Sequence, residues 1–298
     1  MGHQVLTGFE RRYIRLRKTI DRLLPIILSL AVFIAVATVA SLLLIVIITG
    51  GHRLSWNLIL NYPSANPEEA GMRSAIMGSI FTVGLSALIC IPLSIATAIY
   101  LVEYSKGGRL SSILSYNIAN LAGVPSIIFG VVALGFLGYW LGMGRTIITG
   151  AFTLAILTLP LVTVTCVEAL KAVPDDLRLG AYALGATTLQ VVRHISLPRA
   201  LPMMLTGGIL GISRALGEAA PILVVSGLLF IREDPTSLFS KFTVMPLQLY
   251  NWISRPQPAF VELSSAGIIV LLLILLALNG VAIALRQYLI RRIGQTWR

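Results

Sequence analysis

Arg214 is the residue hardest to explain as packing. It lies within the apolar stretch 201–230, where an arginine at the centre of a membrane helix costs about 2.5–3.5 kcal/mol on insertion scales. Glu218 follows four residues later. On a helix that spacing is one turn, so the carboxylate and the guanidinium share a face and can pair. Such a pair belongs inside a bundle or a wet cavity and not against lipid. Two readings stay open at this point. In one, the pair is a self-neutralised packing element between helices. In the other, the planar fork of guanidinium donors receives an oxyanion. Glu218 then holds the fork and keeps the ion from binding too tightly, because an ion held strongly never leaves a pathway.

Other chemistry-bearing residues offer less. Ser126, Thr163, Thr165 and Asn279 also fall in apolar runs, but hydroxyls there commonly bond the carbonyls of their own helix. Cys90 and Cys166 sit in apolar runs too, and with His3, His52 and His194 scattered no metal site and no disulfide framework is expected. The sequence has no Gly-x-x-x-x-Gly-Lys-Ser/Thr loop, no His-Glu-x-x-His and no Gly-x-Ser-x-Gly. The chain is therefore expected to split neither ATP nor peptide or ester bonds itself, and to carry no cofactor of its own.

The elements that must position Arg214 are membrane helices. Of 298 residues, 56% are hydrophobic and 12% charged, far from the roughly 25% charged residues of soluble domains. Six apolar segments stand out, at 23–49, 74–102, 115–140, 149–167, 201–230 and 264–285, each near the roughly 20 residues that cross a bilayer. The predicted fold is all-α, a six-span bundle over 23–285, with tails at 1–22 and 286–298. The first apolar run is longer than the core of a secretory signal and is read as a retained helix.

Of the 23 Lys and Arg residues, sixteen lie in the two tails and in the loops 103–114 and 168–200. The positive-inside rule places both termini in the cytoplasm of a multi-pass protein of the cell (inner or plasma) membrane. The net charge of +11 has the same origin, and no aromatic-interleaved basic stripe points to nucleic acid. Pro92, Pro125, Pro160 and Pro221, with glycines at 130, 135, 138, 207, 208 and 211, predict bent helices around a pathway. Gly207-x-x-x-Gly211 alone reads as close helix packing.

The loop 171–200 is too structured for a linker. Pro174, Asp175 and Asp176 resemble a helix start, and Leu177, Ala181 and Leu184 form an apolar i, i+4, i+7 face. Gly185 ends that helix. Leu189, Val192 and Ile195 continue a second helix, expected to stop at Pro198. Amphipathic helices at this place either coat the bilayer or enter a groove on another protein.

Gly185, nine residues, then Ile195, Ser196, Leu197 and Pro198 resemble the cytoplasmic loop of the inner-membrane permeases of ATP-binding-cassette importers. There the pattern is Glu-Ala-Ala, three residues, Gly, nine residues, Ile-x-Leu-Pro. Leu179, Gly180 and Ala181 stand where that family has Glu-Ala-Ala, with Asp175 or Asp176 as the candidate substitute for its acid. The stretches 99–104 (IYLVEY), 117–126 (NIANLAGVPS) and 213–221 (SRALGEAAP) are similar to the A-type permease subunit of phosphate importers. The likeness runs from the second span onward.

The resemblance implies a type I importer fold and half of a translocation pathway in an ATP-driven, high-affinity inorganic phosphate importer. It implies that Arg214 and Glu218 line that pathway, and that residues 177–198, among them Leu177, Ala181, Leu184, Gly185, Ile195, Leu197 and Pro198, couple to an ATPase. The implied partners are a second phosphate permease subunit, two cytoplasmic ATPase subunits that carry ATP and Mg, and an extracytoplasmic phosphate-binding protein. An importer of molybdate or sulfate, and a stand-alone ion-driven carrier or channel, are the alternatives.

Overall fold

Within hydrocarbon the backbone must satisfy its own hydrogen bonds, and an apolar chain of this length does so as helices. In the computed structural model every regular element among the described residues is helical. The structure describes residues 8–105 and 107–296, with side chains placed for 21–105, 107–288, 290 and 291.

The elements are α1 (Gly8–Gly50), α2 (Trp56–Leu60), α3 (Arg73–Ile99), α4 (Arg109–Ala122), α5 (Ser126–Ala133) and α6 (Ile147–Lys171). They continue as α7 (Asp175–Ala183), α8 (Thr188–Val191), α9 (Leu197–Gly217), α10 (Ala220–Ser226), α11 (Met245–Ile253) and α12 (Pro258–Thr296). Three π-helical turns, Tyr100–Tyr104, Leu134–Trp140 and Val192–Ser196, extend α3 and α5 and join α8 to α9.

Five helices are individually long and apolar enough to cross a membrane, and a sixth crossing exists if α4 and α5 count together. The third expected span is thus not one rod: its halves meet at 108°. Proline supplies the reason, since Pro125 lacks an N–H and pushes the residue before it away from helical angles. Pro125 itself is extended, with ψ 134°.

The fifth span differs in the opposite way at its start. A continuous helical stretch runs from Thr188 to Gly217, so Pro198 does not stop the second loop helix. The π turn just before it widens the register where the proline ring would meet the carbonyl of the preceding turn. At the other end α9 stops at Gly217, before Glu218.

The expected tail boundaries fall inside helices. α1 is helical from Gly8 and α12 reaches Thr296; residues 1–7, 297 and 298 of those tails lie outside the described residues.

α6 is the hub. Two-thirds of its most apolar window is buried, against none of that of α1, and it packs most extensively on α3 and then on α9. Small residues permit the approach. A methyl group at Gly207 would run into Thr165, and one at Gly211 would overlap Val162, so the Gly207-x-x-x-Gly211 face is the close helix contact its spacing suggests. Cys90 and Cys166 are free thiols buried in this same seam. At the far end Trp252, Phe260, Met72 and Leu58 close a second cluster between α2, α11 and α12. α1 meets the rest of the chain chiefly along α12.

Candidate functional site

Arg214 occupies the last turn of α9, not the middle of a longer helix. Glu218 is the first non-helical residue, with extended angles (φ −79°, ψ 115°). The pair forms across this break, Arg214 Nε to Glu218 Oε1 at 3.3 Å. Three things offset the burial of the cation. The carboxylate is one. A helix C-terminus is a second, since its free carbonyls and dipole favour positive charge. The third is a partly open setting: the arginine side chain stays 50% exposed in the isolated chain, its partner 19%.

That exposure faces a cleft of about 250 Å³, lined by Arg214 with Val124, Ser126, Phe129, Leu157, Pro160 and neighbouring apolar side chains. Each wall carries a helix irregularity: the α4–α5 bend at 123–125, Pro160 within α6, and the α9–α10 break at 218–219. α5 and α10 lie so close that a methyl at Gly130 would overlap the Pro221 backbone. Non-helical backbone at membrane depth is tolerated where it lines a cavity, and here the cleft is lined by Val124 of one break, by Pro160, and by the half-exposed Arg214 in the turn just before the other break.

The weaker polar residues separate. Ser126 lines the cleft. Thr165 donates to its own helix at Leu161 O, 2.8 Å away, whereas Thr163 is buried with no partner for its hydroxyl. Asn279 accepts from Ser213 at 2.9 Å, tying α12 to α9 beside Arg214.

At one end of the bundle stand α7 and α8. α7 begins after Pro174 with Asp175 and Asp176 in its first turn. It ends in a Schellman motif: Gly185 N donates to Tyr182 O (2.9 Å), and Ala186 N to Ala181 O (3.1 Å). Gly185 has φ +82°, the left-handed conformation that glycine adopts without strain. α8 opens with a capping box in which Thr187 and Gln190 bond each other's backbone, a Thr-x-x-Gln signal readable from sequence.

The apolar face is placed differently from the expected stripe. Leu177 and Ala181 are half-buried against the bundle, while Leu184 is 91% exposed. Leu179, Tyr182 and Leu189 join Leu184 on the uncovered surface. Ile195, Leu197 and Pro198 are half-buried in the turn that leads into α9.

The two acids at the start of α7 differ in their contacts. Both are exposed, and Asp175 accepts a hydrogen bond from Arg178 (Nη1 to Oδ1, 2.8 Å). Sequence reading missed Arg178 and Glu103, whose side chains are 11% and 3% exposed and meet at 3.1 Å. An arginine at the fourth position after a proline helix start reads as solvated, and its partner lies 75 residues away.

The family described as "Binding-protein-dependent transport system inner membrane component" matches residues 90–295. The chain belongs to this family. Among curated relatives of this inner membrane component, "Phosphate transport system permease protein PstA 1" of Mycobacterium tuberculosis (strain CDC 1551 / Oshkosh) is 34% identical over 233 residues, covering 76% of this chain and 74% of the relative. "Phosphate transport system permease protein PstA" of Haemophilus influenzae is 30% identical over 267 residues, 88% of this chain and 92% of the relative.

Solved structures agree on the fold. A chain of a bacterial alginate ABC transporter superposes with TM-score 0.66 at 15% identity, over 90% of this chain and 96% of that one. A chain of the inward-facing MetNI methionine ABC transporter gives 0.61 at 16% identity, over 76% and 99%. The fold is that of a type I importer permease, and the chain is a multi-pass membrane protein.

Proposed function

We propose that this chain is one of two permease subunits of an ATP-driven importer of inorganic phosphate, and that Arg214 is the cationic station on its path. The observation that carries the reading is Arg214 itself, half-exposed to a cleft whose other walls are almost wholly apolar. A guanidinium offers an oxyanion parallel donors. Glu218 competes for the same donors and keeps the occupied state shallow enough for release. Relatives whose names specify phosphate transport choose the anion.

The chain lacks a nucleotide-binding loop, so energy comes from elsewhere. We assign that role to two cytoplasmic ATPase subunits, with ATP and Mg, docked on the exposed Leu179, Tyr182, Leu184 and Leu189. The sixteen basic residues of the tails and of the loops 103–114 and 168–200 support a cytoplasmic side for this end and for both termini. A second permease subunit closes the open side of the cleft, and an extracytoplasmic binding protein delivers phosphate. Selectivity is then divided: the binding protein chooses the ion, and the permease needs only one cation to pass it.

The test is phosphate uptake and phosphate-stimulated ATP hydrolysis by the co-expressed complex in liposomes, with arsenate, sulfate and molybdate as competitors. Arsenate is expected to compete and the other two to do so weakly. Arg214→Gln is expected to abolish uptake while the complex still assembles. Phosphate uptake with no ATPase subunit present would overturn the reading, and full uptake by the Gln variant would remove Arg214 from the path.

A further inference from the structure

Behind the exposed face of α7 lies a buried ion pair that the transport reading does not use. Arg178 has five N–H donors, and all five are engaged. Nε and Nη2 both reach Glu103 Oε1 at 3.1 Å, Nη2 also reaches Leu170 O at 2.7 Å, and Nη1 bonds Val173 O at 2.6 Å and Asp175 Oδ1 at 2.8 Å. One side chain of α7 thereby grips three pieces of backbone or side chain outside its own helix. These are the π turn that ends α3, through Glu103, the last turn of α6, through Leu170, and the connection between α6 and α7, through Val173.

The chain alone would not hold α7 still. Only residues 172–174 connect it to α6, and they end in a proline with extended angles (ψ 134°), a joint about which a short helix can swivel. A buried charge pair withstands loss of hydration only when its geometry is good and its remaining donors are satisfied. It is then stiff, because displacement strands a charge. A lysine would bring one point charge and three donors, too few for this set of acceptors.

We propose that Arg178 and Glu103 are a positioning pair that makes α7 a rigid extension of the α3–α6 pair. A displacement of the α7 surface is then carried along α6 to the cleft, which Leu157, Pro160 and Leu161 of α6 help to line, and is not absorbed in the 172–174 joint. The inference rests on the reading of α7 as the ATPase docking element. The π turn at 100–104 belongs to the device: it ends α3 with Glu103 turned onto α7, and such insertions of one residue recur at functional sites.

The test uses the complete complex with its ATPase and binding-protein subunits in liposomes, scoring phosphate delivered per ATP hydrolysed. In Arg178→Lys and Glu103→Gln, ATP hydrolysis is expected to continue while that ratio falls about tenfold, within the range of ordinary coupling between sites. A wild-type ratio in both variants overturns the joint.

A second measurement leaves the pair intact and so does not depend on whether the variants assemble. Spin labels at Ala183→Cys on α7 and Leu88→Cys on α3, in a chain with Cys90 and Cys166 replaced by alanine, are expected to hold one distance in the nucleotide-free and ATP-bound states. A distance that changes with ATP overturns the proposal. If instead the wild-type complex shows no phosphate-dependent ATP hydrolysis, the transport reading fails first, and the joint with it.

Discussion

A single charge in an apolar cleft carries the proposed chemistry, and the two atoms of its contact with Glu218 make that chemistry separable. Arg214→Lys keeps the charge and loses the planar fork; uptake by this variant is expected to fall about tenfold, between wild type and the Gln variant, in initial-rate measurements on liposomes. Glu218→Gln acts oppositely on binding. Without the competing carboxylate at 3.3 Å the anion is held longer, so KM and the maximal rate are both expected to fall. A variant with raised KM would instead make Glu218 part of the attraction. The pairing of these two residues was legible from their i, i+4 spacing. The break between them was not read, although Pro221 stands in the first turn of α10 and lacks the N–H that a helix continuing through Gly217 would need; taken as a kink inside one span, it leaves open whether the helix bends or stops.

At the scale of elements, the loop helices decide whether the chain can be driven at all. Leu184 is 91% exposed, so Leu184→Asp removes no packing within the chain, and surface changes of this kind usually shift stability by under about 0.5 kcal/mol. The variant is expected to fold and reach the membrane yet lose co-purification of the ATPase subunits. Normal co-purification would move the docking surface elsewhere. Gly185→Val is expected to be different in kind. At φ +82° a branched side chain meets the following carbonyl, at about 1–2 kcal/mol, and the end of α7 is re-aimed; the expected result is a lowered thermal midpoint together with weakened ATPase recruitment.

Sequence periodicity placed both loop helices and the glycine between them. It put Leu177 and Ala181 on one stripe with Leu184 because an amphipathic pattern marks an apolar face without saying which part of it the bundle covers. The continuation through Pro198 was hidden for a related reason: a π turn that accommodates a proline ring leaves no compositional mark.

Over the described residues, two of the helix breaks and one in-helix proline fall on the walls that meet at Arg214, while the π turns at 100–104, 134–140 and 192–196 lie elsewhere. Val124 of the 123–125 bend, Pro160 of α6 and Arg214, one turn before the 218–219 break, line one cleft, whereas α3 and α6 each run as a single helix through an internal proline. Backbone groups freed from helical bonding exchange their hydrogens by small local openings, and those in packed helices only by larger ones. Hydrogen exchange on the assembled complex is therefore expected to show fast amides at 123–126 and 217–220 within slowly exchanging surroundings, with phosphate slowing those patches selectively. Uniform protection across α9 and α10 would contradict the break.

The six apolar segments and the all-helical class followed from hydropathy, since length and composition alone decide what can cross a bilayer. The 108° bend did not, because proline signals that a helix is interrupted and leaves the angle to the neighbours.

Leu184 has one more consequence, which concerns the subunit before it meets any other. On the proposed reading a leucine on a turn at the membrane's inner edge stays wet until the motor covers it. An orphan copy therefore displays in water the kind of greasy knob that chaperones hold and proteases clear, and the abundance of the membrane half is set by the supply of its soluble half.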